Sequence, residues 1–74
     1  MSAQLKEKAL RIREFLTWLE AKHGASLPEC QRWFMVQYRL SRLTIQQYLE
    51  DLKFTREIWH GKDGKIHSRE EQPL

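Results

Sequence analysis

Little in this sequence permits an elaborate answer: among 74 residues there are one cysteine, two prolines and three glycines. With Cys30 alone, no intramolecular disulfide can form, so side-chain packing must hold the fold, as is usual in a reducing compartment. The longest stretch free of Asp, Glu, Lys and Arg runs from Leu43 to Leu49. That is far below the ~18–20 apolar residues that cross a bilayer, and no membrane contact is expected. Near the N-terminus Lys6, Glu7 and Lys8 occupy the place where a secretory peptide needs its apolar region, and no small-residue cleavage site follows. The expectation is an intracellular protein, cytoplasmic or nucleoid-associated. A chain this short buries only about 60% of its unfolded surface. It has no room for a deep cleft of roughly 300 Å³ beside an intact core. No enzyme activity is expected, and no Gly-rich phosphate loop, HExxH or GxSxG motif is present.

What the chain does have is aromatic bulk. Phe15, Trp18, Trp33, Phe34, Tyr38, Tyr48, Phe54 and Trp59 are the expected core, each able to bury about 150–250 Å². Leu5, Ala9, Ile12, Leu16 and Leu19 recur at spacings of four and three among charged residues, which predicts an amphipathic helix over about 3–22 that ends at Lys22-His23-Gly24. Leu10 and Trp18 lie off that stripe and need another surface, either the rest of the domain or a second copy in a homodimer. Ser26-Leu27-Pro28-Glu29 has the form of a capping box and predicts a second helix through Cys30, Trp33, Phe34 and Val36 to Gln37 or Tyr38. Ser41 can cap a third helix, Arg42 to about Lys53, with Ile45, Leu49 and Leu52 inward and Tyr48 alongside. The short connection forces a sharp corner of the helix-turn-helix type.

Beyond Phe54 the pattern turns to β-branched and aromatic residues, and Asp63-Gly64 between two short extended runs predicts a two-stranded hairpin over about 56–69. Its Ile58, Trp59 and Ile66 must cover the helices, because an isolated hairpin is barely stable. Residues 1–69 are read as one domain, with 70–74 as a loose tail. His60 and His67 are placed where they would face each other across the hairpin, with His23 or Cys30 nearby, but no zinc-type spacing exists and no metal or cofactor is expected. Cys30 reads as a buried, inert thiol.

Three helices followed by a hairpin resemble the winged helix-turn-helix family over about residues 5–69. The most specific stretch is Leu40-Ser41-Arg42-Leu43-Thr44-Ile45-Gln46-Gln47-Tyr48-Leu49-Glu50-Asp51-Leu52, and Lys53 to Arg69 is similar to the wing. Two positions depart from the pattern: Arg39 stands where the family often has Gly, and Phe34 or Met35 where it has a small Ala. The fold class implied is mainly helical α+β, three helices with a C-terminal hairpin wing. The function implied is sequence-specific binding of double-stranded DNA by a small transcriptional regulator.

The residues suit that reading. Thirteen Lys and Arg against ten Asp and Glu give a net charge of +3, a weak lean toward a polyanion. The outer face of the third helix carries Arg42, Leu43, Gln46, Gln47 and Glu50. Gln pairs with adenine and Arg with guanine in the major groove, so Arg42, Gln46 and Gln47 are the candidate readers. Ser41 and Thr44 at the helix N-terminus suit either a phosphate or simple capping. Lys62 and Lys65 at the hairpin tip, with Arg39, Arg56, Arg32 and Arg69, are candidate backbone contacts. The alternative is a winged helix that binds protein within a larger assembly.

Overall fold

The capping box forms as the sequence demands. Ser26 has extended backbone angles, its Oγ accepts from the Glu29 amide at 3.3 Å, and the Glu29 carboxylate accepts in return from the Ser26 amide at 3.2 Å. These bonds start α2 (Leu27–Tyr38) with Pro28 in its first turn. Ser41 does the same for α3 (Arg42–Phe54), accepting from the Thr44 amide at 3.3 Å. Between them lie only Arg39, Leu40 and Ser41, which make the corner. The computed structural model describes the backbone of residues 3–70 and the side chains of residues 7–70, with α1 (Ala3–Ala21) preceding this pair and strands β1 (Ile58–His60) and β2 (Ile66–Ser68) following it. The expected tail from residue 71 and the Leu5 side chain lie outside the described residues. No helix among them is long and apolar enough to cross a membrane.

Each of the three helices stops at a residue with positive φ that is not glycine: His23 (φ 56°) after α1, Arg39 (φ 53°) after α2 and Arg56 (φ 62°) after α3. At α1 the His23 amide donates to Glu20 O and the Gly24 amide to Leu19 O; at α3 the Arg56 amide donates to Lys53 O and the Glu57 amide to Leu52 O. These are Schellman closures, which satisfy the orphan carbonyls of the last turn. Gly24 has φ 102°, and a Cβ there would collide with the His67 ring, so the chain turns against β2 only with glycine at this place.

The strands pair antiparallel, with Ile58 opposite Ser68, Trp59 opposite His67 and His60 opposite Ile66. The hairpin expected from Asp-Gly is present. The Gly61 amide bonds Lys65 O and the Gly64 amide bonds Gly61 O, so Lys62, Asp63 and Gly64 form a three-residue loop in which Gly64 alone has positive φ (79°). The strands are also shorter than expected, and Arg56 belongs to the turn before β1. His60 and His67 do not face each other: His67 lies opposite Trp59 and its ring stacks on the indole at 4.6 Å, whereas His60 is exposed. An additional link comes from Ala25, between α1 and α2. It exchanges two backbone hydrogen bonds with Ile66, at 3.0 and 2.7 Å, which ties the hairpin to the connection between α1 and α2.

The core consists of Phe15 and Leu19 from α1, Cys30 and Phe34 from α2, Ile45, Tyr48, Leu49 and Leu52 from α3, and Ala25, Ile58 and Ile66 from the extended segments. α1 is rotated relative to the expected stripe. Phe15 and Leu19 are fully buried, Ile12 and Leu16 only partly, and Ala9 is exposed. The rotation brings Phe15 and Trp18 onto the aromatic rings of α2, with Phe15–Phe34 at 4.6 Å and Trp18–Trp33 at 5.5 Å. Trp18 thus finds its surface within its own domain, while Leu10 stays 56% exposed. Phe54 is not core at all, being 88% exposed. It lies nine residues after Ile45, half a revolution around α3 at 100° per residue, so it faces away.

Two outcomes follow from the helix ends. Arg39→Gly should raise stability by about 0.5–1 kcal/mol, because glycine takes the left-handed conformation without the Cβ penalty; thermal unfolding should shift up by a few degrees (~2–8 °C). The Glu29 carboxyl is lowered to about 2, chiefly by the Lys22 ammonium that donates to it at 3.0 Å and then by Ser26. A depressed carboxyl stabilises above its unfolded pKa and loses that contribution as pH falls through the folded value. The melting temperature of the wild type should therefore exceed that of Glu29→Gln above about pH 5 and converge with it near pH 2.

Candidate nucleic-acid interface

Side-chain periodicity divides α3 into two faces. Ile45, Tyr48, Leu49 and Leu52 are consumed by the core, while Arg42, Leu43, Gln46, Gln47 and Glu50 are exposed. The helix is therefore fixed from behind and presents an ordered row of donors and acceptors in front. Tyr48 anchors it from two sides: its ring meets Phe34 edge-on at 5.5 Å, and its hydroxyl lies 3.4 Å from Arg11 Nη1. That contact is the leading cause of the raised pKa of Arg11, whose guanidinium also lies over the Tyr38 ring at 5.0 Å. One arginine of α1 thus bridges to both helices of the corner.

The polar groups on this face are not all equally available. Ser41 Oγ both accepts from the Thr44 amide and donates to Thr44 Oγ1 at 3.0 Å. The two hydroxyls are engaged in capping, one of the two roles open to them from the sequence. Gln46 Nε2 donates to Glu50 Oε1 at 3.3 Å, whereas Arg42 and Gln47 are exposed at neighbouring positions. Leu43, 67% exposed, lies among them as an apolar isobutyl group. Arg39 sits at the C-terminus of α2, two residues before the α3 cap Ser41, and is exposed.

On the hairpin, Lys62 in the loop and Lys65 just after it are exposed. Between them is Asp63, a carboxylate that basic-residue counting overlooked. It accepts from the Lys65 amide at 3.0 Å and lies 3.2 Å from His67 Nε2. The Lys65 backbone N–H, with the His67 ring adding to it, holds Asp63 below the usual carboxylate range. The loop tip is therefore two ammonium groups around an anion bound inward. The i, i+4 spacing of Gln46 and Glu50 was available to find one of these acidic partners. The Asp63 contacts depend on the loop type, which the Asp-Gly pair alone did not determine. α3 adjoins β1, and Arg56 sits at that junction in the left-handed turn.

Other chemistry is sparse. Cys30 is fully buried with its thiol pushed up to about 12, first by desolvation and then by Glu29. No group of three or more His, Cys, Asp or Glu side chains is placed to hold a metal ion among the described residues. Cys30 should resist alkylation in the folded protein and react only on unfolding, so the labelling rate should follow the denaturant transition. No family model, curated protein or solved structure matches the chain.

Proposed function

We propose that this chain is a winged helix-turn-helix module that binds double-stranded DNA sequence-specifically. α3 lies in the major groove, and the hairpin loop reaches adjacent phosphates or the minor groove. The observation that carries this reading is the division of α3: its inner face is fully used by the core, and its outer face offers a guanidinium and two amides that the fold itself does not require. A rigid rod with Arg and Gln at its exposed N-terminal half is the arrangement that reads guanine and adenine edges. The Ala25–Ile66 bridge adds support, because it fixes the hairpin to the helices and lets Lys62 and Lys65 act at a set distance from α3. Regulation of transcription, in a cytoplasmic or nucleoid setting, is the role this reading implies.

A second reading has its own observation. Leu43 is 67% exposed in the middle of the candidate face, and an apolar side chain there suits a protein partner within a larger assembly as well as a thymine methyl. Salt separates the two. If Arg39, Arg42, Arg56, Lys62 and Lys65 neutralise about five phosphates, affinity for duplex DNA should fall about 500-fold between ~50 and ~200 mM salt. Fluorescence anisotropy measures this directly, and absence of binding at the lower salt would move the assignment to the protein-contact module.

Substitutions resolve the roles. Gln46→Ala and Gln47→Ala should relax base preference by about 1–3 kcal/mol each at the position they read. Lys62→Ala should weaken all sequences alike and reduce the salt slope by about one. Asp63→Asn should tighten binding to every sequence, because it removes the one anion between the loop lysines. If none of these changes alters binding, α3 and the loop are not the reader.

A further inference from the structure

Trp18 and Trp33 pack on each other across α1 and α2 with ring centroids 5.5 Å apart, and Phe15 backs them at 5.9 and 5.5 Å. Both indoles nevertheless stay only partly buried. Two shallow grooves run over them and share Trp18, Trp33 and Gln37. One adds Arg32 and Val36, the latter 70% exposed, and the other adds Arg13. Every lining residue comes from α1, α2 or Lys22 just after α1, and none comes from α3 or the hairpin. The surface is thus separate from the candidate DNA face, and the aromatic cluster that orients α1 holds its floor in place.

We propose that this surface docks an acidic segment of another protein, which sets apolar side chains on the tryptophans and carboxylates on Arg13 and Arg32. The charge that selects this occupant is what the fold leaves over. Lys22 and Glu29 satisfy each other at 3.0 Å, Lys22 Nζ also lies over the Trp18 ring at 5.4 Å, and Glu14 accepts from the Tyr38 hydroxyl at 3.0 Å. Both carboxylates that line the grooves therefore have partners within the fold. Arg13 and Arg32 are exposed and join no ion pair among the described residues. The groups left to meet a partner are two guanidiniums, one in each groove. A second copy of the same surface would set these like charges against each other, whereas a carboxylate takes a guanidinium in a bidentate pair.

The floor separates a peptide from the other class of anion. A nucleobase needs an open ring face to stack on, but Trp18 is already stacked on Trp33 with 26° between the planes, and Lys22 lies over its ring. The most open part of the floor is the aliphatic Val36. Branched and aromatic side chains pack on Val36 and on indole edges alike. Glu14 and Glu29 repel a strand with a charge at every nucleotide, whereas a peptide can place its carboxylates away from them. Trp and Arg are also the residue types that carry most of the binding energy at protein interfaces, above all where the rings are held rigid.

Random short peptides displayed on phage and selected on the full chain supply the probe. They are tested without duplex DNA, so failure here is separate from failure of the DNA reading. The selected peptides should carry Asp or Glu beside Leu, Phe or Trp. Titrated into isotope-labelled protein, they should shift the indole N–H signals of Trp18 and Trp33 and leave in place that of Trp59, whose Nε1 donates to Ser68 O. Arg13→Glu with Arg32→Glu, both at exposed positions, should keep the helical circular dichroism and weaken these peptides about tenfold or more. Peptides with Lys in place of Asp and Glu should prefer that double variant to the wild type. Selection of no acidic peptide overturns the proposal, as does binding that ignores the arginine substitutions or shifts Trp59 alone. So does an equal shift of Trp18 and Trp33 by single-stranded oligothymidylate, which would assign the surface to nucleic acid.

Discussion

Phe34 is the side chain on which the remaining structure depends. It is fully buried, and its ring lies 4.6 Å from Phe15 of α1 and 5.5 Å from Tyr48 of α3, with Trp33 and Tyr38 of its own helix at 5.2 and 6.4 Å. All three helices therefore meet at one aromatic centre. Truncation of such a ring costs about 3–5 kcal/mol, a large share of the stability of a domain this small, roughly 4–11 kcal/mol. The same contact governs the orientation of α1. To bring Phe15 and Trp18 onto Phe34 and Trp33, the helix turns its aliphatic stripe partly outward, and Ala9, Leu10, Ile12 and Leu16 are left lining a shallow groove.

Local chemistry made the helix boundaries legible. Ser26 with Glu29 and Ser41 with Thr44 are bonds between near neighbours, and such bonds form in the same way whatever the rest of the chain does. Gly24 marked the end of α1 for the same reason, although the left-handed position is taken first by His23. The departure at Arg39 now has a physical account. The backbone there is left-handed, the conformation that favours glycine, and arginine adopts it at a cost of about 1–2 kcal/mol. His23 and Arg56 share the left-handed backbone, and at Arg39 and Arg56 a guanidinium at the helix C-terminus recovers part of that cost from the carbonyl dipoles.

Where the expectations were wrong, a nonlocal contact decided the outcome. The stripe on α1 was correctly periodic, yet periodicity does not say which of two adjacent apolar arcs faces the core when Phe15 and Trp18 extend one of them. Phe54 was counted as core because of its residue type, but its angular position on α3 overrules its hydrophobicity. The hairpin was legible as an element and illegible in register. Two-residue and three-residue loops both accept Asp-Gly, and the choice moved His67 opposite Trp59 instead of His60. The Ala25–Ile66 bridge joins residues far apart in sequence and had no local signature.

The candidate reading face poses an energetic question of its own, since Gln46 is already bonded to Glu50. That bond is solvent-exposed and long at 3.3 Å, so its net worth is at the low end of about 0.5–1.5 kcal/mol. A bidentate pair with adenine is worth about 1–3 kcal/mol in discrimination, enough to replace it. Until then Glu50 holds the amide against the helix and restricts its rotamers, which reduces the entropy lost on docking. Gln47 has the opposite balance: it is exposed and loses more freedom on binding but breaks no intramolecular bond to do so. The two amides would therefore not be equivalent under the proposed reading. On the proposed DNA reading, Gln46 would be a pre-set contact whose partner Glu50 repels phosphate at the C-terminal side, so a duplex would be confined to the N-terminal half of α3, where Arg42 and the amides of the first turn favour an anion.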